Sequence, residues 1–184
     1  MHDRHAFDLA EAVTHVDHSF GSARAAVTLV EYGDFECPNC RQAAPAIKLL
    51  LHRFAGRLRF VYRHFPLEDV HPHALLAAEA AEAAGEQGKF WLMHDLLFEN
   101  QAHLKATQLR TYAERLELDL ERYTAEMNDH MYLQRVREHI DGGHRSGVSA
   151  TPTFFANGRR EDVSYGLQSL EQALESLFLE ERRR

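Results

Sequence analysis

Residues 27–40 read VTLVEYGDFECPNC, a stretch that contains the only two cysteines of the chain. The β-branched run at 26–32 ends at Gly33, which predicts a buried strand. From Cys37 onward the apolar residues recur with helical period, and Pro45 lies inside that pattern, where it is expected to kink the helix. This stretch therefore predicts a strand that leads through a short turn into a helix.

Residues 58–65 (LRFVYRHF), which Pro66 stops, predict another strand, parallel to the first because one long helix connects the two. Helical period then continues from His71 to about Ser146. Within it, the Ala/Glu-rich segment 74–86 predicts a helix with a solvated amphipathic face. The middle of the chain is thus predicted to be a block of helices.

Strand and helix signals return near the C-terminus. Residues 153–156 predict a short strand, and the turn pair Asn157-Gly158 predicts a hairpin with 159–163. Ser169 and Gln172 have the spacing of a capping box that would begin the last helix. The end of the chain is therefore predicted as strand, strand, helix.

The order of these signals divides the chain into three parts and places it in the α/β class. Residues 1–66 form a polar arm, with one short strand, and a β-α-β half; residues 67–146 form an inserted helical domain; residues 147–184 form a β-β-α half. At 184 residues, this amounts to one domain carrying an insertion.

Composition excludes several classes of function. Lysine and arginine number 21 against 28 acidic residues, a net charge of −7, so the sequence predicts no nucleic-acid partner. Apolar runs fall short of the ~20 residues of a membrane helix, so no membrane association is expected. The N-terminal residues show no apolar signal segment, which predicts a cytoplasmic protein, or a periplasmic one if a signal has been removed.

The spacing of Cys37 and Cys40 carries the chemistry. On a first helical turn these positions have Cα atoms about 5.5 Å apart, within disulfide range. Cys37 would lie at the helix N-terminus, where backbone N–H groups and the helix dipole stabilise a thiolate, and Pro38 suits the first helical position. The pattern predicts an exposed attacking Cys37 and a shielded resolving Cys40. A zinc site completed by two histidines and an inert buried pair are the alternatives, and zinc is disfavoured because no second cysteine pair exists.

Residues 27–40 and 147–158 together resemble the active-site segment and the cis-proline loop of DsbA-like thiol–disulfide oxidoreductases, in the thioredoxin superfamily. Residues 88–95 resemble a segment of that family's helical insertion, and the similarity covers about residues 20–180. The resemblance implies a thioredoxin-like fold, β-α-β … β-β-α, with the helical block inserted between its halves.

The resemblance also implies roles for individual residues. Cys37 would be the nucleophile and Cys40 the resolving thiol. Pro152 would be cis and packed beside the disulfide, with the backbone of Thr151 available to an extended substrate. Glu31 matches the family's buried acid, which would relay the proton of Cys40, and its alternative interpretation is a surface residue on a strand edge.

Four further residues are expected at a substrate groove. Phe35 and Val148 would rim it from opposite sides, and Pro38 and Asn39 lie between the cysteines. Strongly oxidising relatives carry histidine where this chain has Asn39, so the resemblance implies a potential between roughly −270 and −120 mV. Protein thiols and disulfides are the expected partners, with glutathione or a redox partner protein as further candidates. The sequence leaves the direction of exchange and the oligomeric state open.

No organic cofactor or metal is expected beyond the cysteine pair itself. Three alternative functions remain open on the same sequence: a reductase for peroxide or small thiols, a redox-sensing or chaperone-like binding protein, and a metal-binding protein. The histidines add little, since His71 and His73 resemble a helix entry and His94 beside Asp95 is expected to pack or cap.

Overall fold

The computed structural model describes residues 9–163, residues 167–181 and Arg183. The strands are β1 His18–Phe20, β2 Val27–Gly33, β3 Leu58–His64, β4 Thr153–Ala156 and β5 Arg159–Glu161. The helices are α1 Pro38–Arg53, α2 Ala74–Gly85, α3 Phe90–Glu99, α4 Ala106–Arg115, α5 Leu120–Asn128, α6 Leu133–Arg145 and α7 Leu167–Glu181. Across the described ranges, no helix has the length and apolar character that crossing a membrane requires.

The five strands form one sheet in the order β1-β3-β2-β4-β5, so β2 is its central strand. The N–H of Val27 donates to the carbonyl of Arg57 at 3.1 Å, and the N–H of Phe65 donates to that of Gly33 at 2.7 Å. These bonds join the starts and the ends of β2 and β3, which therefore run parallel, as the sequence predicts. The pairs β1–β3, β2–β4 and β4–β5 are antiparallel.

The C-terminal hairpin has the predicted turn. Asn157 and Gly158 connect β4 to β5 with φ angles of 48° and 81°, both in the left-handed region that this turn requires. The capping box predicted for the last helix is wrong. Ser169 lies inside α7, which begins at Leu167, and its hydroxyl donates to the carbonyl of Asp162 at 2.9 Å instead of capping the helix.

By their internal contacts, the residues group into two compact units. The strand unit comprises Met1–Tyr32, Gln42–Arg63 and Gly142–Arg184, as far as these are described. The helical unit comprises Gly33–Arg41 and His64–Asp141. The sequence placed the cysteine stretch with the strands, whereas by contacts it groups with the helices.

The core of the helical unit corrects one prediction. Helix α2 is not a solvated amphipathic helix, since nearly all of its residues are buried, including Glu79 and Glu82 at 1% exposure each. The alanines let neighbouring helices approach closely, and the two carboxylates are paired. Glu79 meets Nδ1 of His130 at 3.1 Å, and Glu82 meets Nε2 of His64 at 2.8 Å. The two carboxylates that suggested an exposed face are thus in contact with partners distant in the sequence.

Candidate active site

The cysteine motif lies at the start of α1, as predicted. The carbonyl of Cys37 accepts the N–H of Arg41 at 3.2 Å, which makes Cys37 the residue that caps the helix and Pro38 the first helical residue. The first turn of α1 carries no acidic side chain. The positive end of the helix dipole therefore acts on Cys37 without an opposing carboxylate in that turn.

Both cysteines are buried, so the exposed position predicted for Cys37 is not found. Cys37 is 5% exposed and Cys40 is 1% exposed. Cys37 is therefore the more exposed of the two, as expected, but by a small margin. The backbone N–H of Asp34 donates to Sγ of Cys40 at 3.5 Å. Pro38 and Asn39 are both exposed and form the solvent-facing part of the motif. The prediction overlooked how tightly the preceding turn is held.

Asp34 holds that turn from within. Its buried carboxylate accepts the N–H of Glu36 at 2.7 Å and that of Leu67 at 2.8 Å, and it lies 2.7 Å from Nδ1 of His71. One side chain therefore fixes the chain just before Cys37 and joins it to the segment that follows β3. Asp34 was not singled out from the sequence, where it read only as the end of a strand.

Glu36 makes a second connection of the same kind. Its carboxylate accepts the backbone N–H of His73 at 2.7 Å and lies 2.9 Å from Nδ1 of the same residue. His71 and His73, expected at a helix entry, are thus imidazole partners of the two acids beside the cysteine motif. Their alternate spacing in the sequence matches that of Asp34 and Glu36, and this match was the available signal.

Gln101 completes the support and was missed by sequence reasoning. Its Nε2 donates to the carbonyls of Phe35 and Cys37, at 2.9 Å each. A single amide thus bridges two carbonyls of the turn and holds the residue that caps α1. No motif or spacing marks this glutamine, because it lies 64 residues from Cys37 along the chain.

Phe35 does not rim a groove, and that prediction is wrong. It is 1% exposed, and its ring lies 5.0 Å from that of Phe98 and 5.7 Å from that of His94, between centroids. Aromatic packing removes more apolar surface from water than a rim position would. The same contacts confirm that His94 packs, with Nδ1 3.1 Å from the carboxylate of Asp95.

The remaining predicted residues belong to the strand unit. Glu31 is 2% exposed and pairs in register with Phe154 on the central strand β2, which excludes the interpretation as a surface residue on a strand edge. The peptide bond between Thr151 and Pro152 is cis. Val148 is 2% exposed and therefore buried rather than placed on a rim; its N–H donates to the carbonyl of Gly143, which lies in the last turn of α6.

Comparison with solved structures identifies the fold. BdbD from Bacillus subtilis superposes with a TM-score of 0.79 at 22% identity, covering 88% of this chain and 92% of that one. A thioredoxin-like oxidoreductase from Silicibacter pomeroyi superposes with a TM-score of 0.70 at 26% identity, covering 86% and 92%. The α/β fold is thus the thioredoxin-like one of DsbA-type proteins, as the sequence resemblance implies.

Relatives found by sequence are named as antiporters rather than as oxidoreductases. Proteins named Na⁺/H⁺ antiporter NhaA from Salinispora arenicola and Salinispora tropica are 54% and 50% identical over 88% and 91% of this chain. The chain spans only about a quarter of their length, 25% and 26%. The family model described as Thioredoxin matches residues 13–176, which include the cysteine pair, the whole sheet and most of α7. On that match, the chain belongs to the thioredoxin family.

Proposed function

We propose that this chain is a thiol–disulfide oxidoreductase that exchanges disulfides with protein substrates through Cys37 and Cys40. The observation that supports this most directly is the position of Cys37, whose carbonyl accepts the first hydrogen bond of α1 while Cys40 follows one turn later. Helix N-termini stabilise thiolates, and the thiolate is the nucleophile of disulfide exchange. The support from Asp34, Glu36 and Gln101 fits a site that must keep two sulfurs in a set geometry.

The exchange proceeds in two displacements. The Cys37 thiolate attacks one sulfur of a substrate disulfide, forming a mixed disulfide and releasing one substrate thiolate. The Cys40 thiolate then attacks the Cys37 sulfur, releasing the second substrate thiolate and forming the Cys37–Cys40 disulfide. Two electrons pass to the substrate, and the reverse sequence oxidises a substrate dithiol. The cysteine pair supplies these electrons, so the reaction needs no organic cofactor.

The roles of the other residues follow from the family resemblance. Pro38 and Asn39 are exposed next to the cysteines, where an approaching substrate meets them first. We propose that the backbone of Thr151 and the cis Pro152 serve an extended substrate chain, and that Glu31 accepts the proton that Cys40 loses. Since Asn39 carries no charge to stabilise the thiolate, we expect a potential between roughly −270 and −120 mV.

Insulin reduction by dithiothreitol tests the proposal. The wild-type chain should accelerate precipitation of the insulin B chain, and Cys37→Ser should abolish the acceleration. Cys40→Ser should instead accumulate a mixed disulfide, because the second displacement is lost. When the protein is unfolded in iodoacetamide, the oxidised form should take up no label and the reduced form two, because both cysteines are buried in the folded chain. An unaccelerated reaction with wild-type protein would contradict the proposal, and turnover of glutathione or peroxide in its place would favour the reductase alternative.

The relatives named Na⁺/H⁺ antiporters support a second, narrower proposal, that this redox chemistry serves a protein of that kind. Its basis is 54% identity over 88% of the chain. Antiport itself is not proposed for this chain, because the match covers only a quarter of those proteins. The test is to present a purified antiporter of this type to Cys40→Ser: a mixed disulfide through Cys37 would support the proposal, and none would refute it.

A further inference from the structure

A second cluster of reactive side chains lies in the helical unit and takes no part in the proposed exchange. It consists of His64 at the end of β3, Glu82 on α2 and His139 on α6. One nitrogen or oxygen atom from each residue lies within 4.8 Å of the other two. His64 and Glu82 are each 1% exposed, and His139 is half-buried.

We propose that His64, Glu82 and His139 bind one divalent transition-metal ion, with Zn²⁺ as the best fit. Two imidazoles and one carboxylate are a donor set that zinc takes at about 2.0–2.2 Å per ligand atom, with a water as the fourth ligand. The half-buried His139 marks the side from which the ion and that water enter. The site is chemically distinct from the cysteine pair, since it offers nitrogen and oxygen donors without sulfur.

The spacing of the two rings fits this assignment. The centroids of the His64 and His139 rings are 5.5 Å apart, and their planes are inclined by 25°. Two imidazoles bound to one tetrahedral zinc through nitrogens at ~2.1 Å would place their centroids about 5 Å apart. The backbone N–H of His64 donates to Nδ1 of His139 at 3.2 Å, and metal binding would replace this bond, since a neutral imidazole offers one free lone pair. The rings are therefore close enough to share an ion, and they must turn so that their in-plane lone pairs converge on it.

The carboxylate is oriented by a neighbouring cation. Nε of Arg135 lies 2.8 Å from Oε2 of Glu82, while Oε1 lies 2.8 Å from Nε2 of His64. Carboxylates that bind metals are typically held by such a supporting contact through the other oxygen. Without Arg135 the carboxylate loses this orienting contact, so its removal is expected to weaken binding by about 10–100-fold.

An apolar shell covers the His64 side of the cluster. The ring of Phe35 lies 5.8 Å from that of His64, and the ring of Phe90 lies 6.0 Å from it, between centroids. Such a shell excludes water and strengthens the attraction between a cation and its ligands. It also favours a single closed site over loose binding by surface histidines.

Metal titration of the 184-residue chain carrying Cys37→Ser and Cys40→Ser tests the proposal without interference from thiols. Zn²⁺ is titrated by calorimetry and Co²⁺ by its visible absorption. We expect one site, which Glu82→Gln and His139→Gln each weaken by more than the ~10–100-fold cost of losing a supporting contact. Arg135→Gln should weaken Zn²⁺ binding by no more than that ~10–100-fold. His103→Ala, at an exposed histidine of the same unit, should leave the affinity unchanged.

The remaining outcomes are equally decisive. His139→Gln alters a half-buried position and keeps the test valid if Glu82→Gln fails to fold, which circular dichroism reports. The reference protein is the double serine variant with its histidines intact. If it binds Zn²⁺ no more tightly than the protein that also carries His139→Gln, or if every variant binds alike, the metal is held elsewhere and the proposal is overturned. Because the protein tested lacks both thiols, the result is independent of the disulfide-exchange proposal.

Discussion

Among the described residues, carboxylates of the strand unit pair with arginine, whereas those of the helical unit pair mostly with histidine, with Arg122 on Glu126 and Arg135 on Glu82 as the exceptions. In the strand unit, ion pairs are built on arginine, with Arg63 meeting Asp17, Arg145 meeting Glu11 and Arg53 meeting Glu175. In the helical unit, five histidines lie against carboxylates: His64 on Glu82, His71 on Asp34, His73 on Glu36, His94 on Asp95 and His130 on Glu79. The unit that holds the cysteines is thus the one rich in imidazole.

The difference has a physical meaning. Arginine keeps its charge at every physiological pH and holds planar, two-pronged contacts, which suits a permanent structural tie. Histidine gains and loses a proton near neutrality and also binds metals, which suits a region that carries chemistry. The strand unit thus relies on a cation of constant charge, whereas the two acids beside the cysteine motif are held by imidazoles.

The largest expected effect on stability comes from removing a buried arginine of the strand unit. Arg63 is buried and binds Asp17 at 2.8 and 3.1 Å and the carbonyls of Glu11 and Ala12. Burial lowers the pKa of Arg63, but the bonds to Asp17 and Tyr32 raise it above its ordinary value, so the charge persists. Arg63→Met should reduce the free energy of unfolding by about 3–5 kcal/mol, since it leaves a buried carboxylate unpaired.

Urea denaturation measures this loss, with Arg53→Met as the matched control. The side chain of Arg53 is 54% exposed, and its pair with Glu175 at 2.6 Å is a surface contact. Exposed pairs contribute about 0–1 kcal/mol. Equal losses for the two variants would show that burial does not distinguish the arginine pairs.

The next largest effect on stability comes from removing a carboxylate that binds a histidine in the helical unit. Asp34→Ala removes an acceptor used by Glu36, Leu67 and His71. Because hydrogen bonds to a buried charge contribute about 1.5–3 kcal/mol, the loss in unfolding free energy should be about 2–3 kcal/mol. Asp95→Ala, at a carboxylate 34% exposed, should cost less than about 1 kcal/mol in the same measurement. A smaller loss for Asp34→Ala than for Asp95→Ala would mean that Asp34 does not hold the turn.

A third, smaller effect separates stability from exchange. Gln101→Ala removes the donor to the carbonyls of Phe35 and Cys37 and should cost about 1–2 kcal/mol. Insulin reduction should slow by no more than the ~5–30-fold that corresponds to this energy. Gln87→Ala is the matched control, because Gln87 also bridges distant backbone, accepting from Asp119 at 2.7 Å. It should reduce stability and leave the exchange rate unchanged; slowing in both variants would indicate a general effect of instability.

The smallest effect tests the electrostatics of the strand unit. Burial raises the pKa of Glu161 on β5 above 4.5, and Arg159 acts in the opposite direction. The charged form is therefore disfavoured in the folded state, so the cost is absent well below pH 4.5 and reaches its full size above the raised pKa. Glu161→Gln should stabilise the protein by a few tenths of a kcal/mol at pH 7 and not at pH 3. A gain at both values would assign the effect to something other than charge.

Much of the site was predictable because its signals are local. Neighbouring residues alone decide three of its features: the strand before the cysteines, the helix that begins after Cys37, and the turn at Asn157 and Gly158. Phe35 was misassigned because the sequence shows its position next to Cys37 but not the rings of His94 and Phe98. The Ala/Glu-rich α2 was misassigned because charge predicts exposure only where the charge has no partner.

By itself, the sequence determined the strand–turn–helix that spaces Cys37 and Cys40 by one helical turn, since backbone propensity, capping and i, i+3 spacing act within a few residues. Only the tertiary structure decided what surrounds that turn. Asp34, Glu36 and Gln101 reach partners 33 to 66 residues away, and His64, Glu82 and His139 meet from three separate elements. Hydrogen bonds and ion pairs depend on distance in space, and folding brings these groups within a few ångströms of one another.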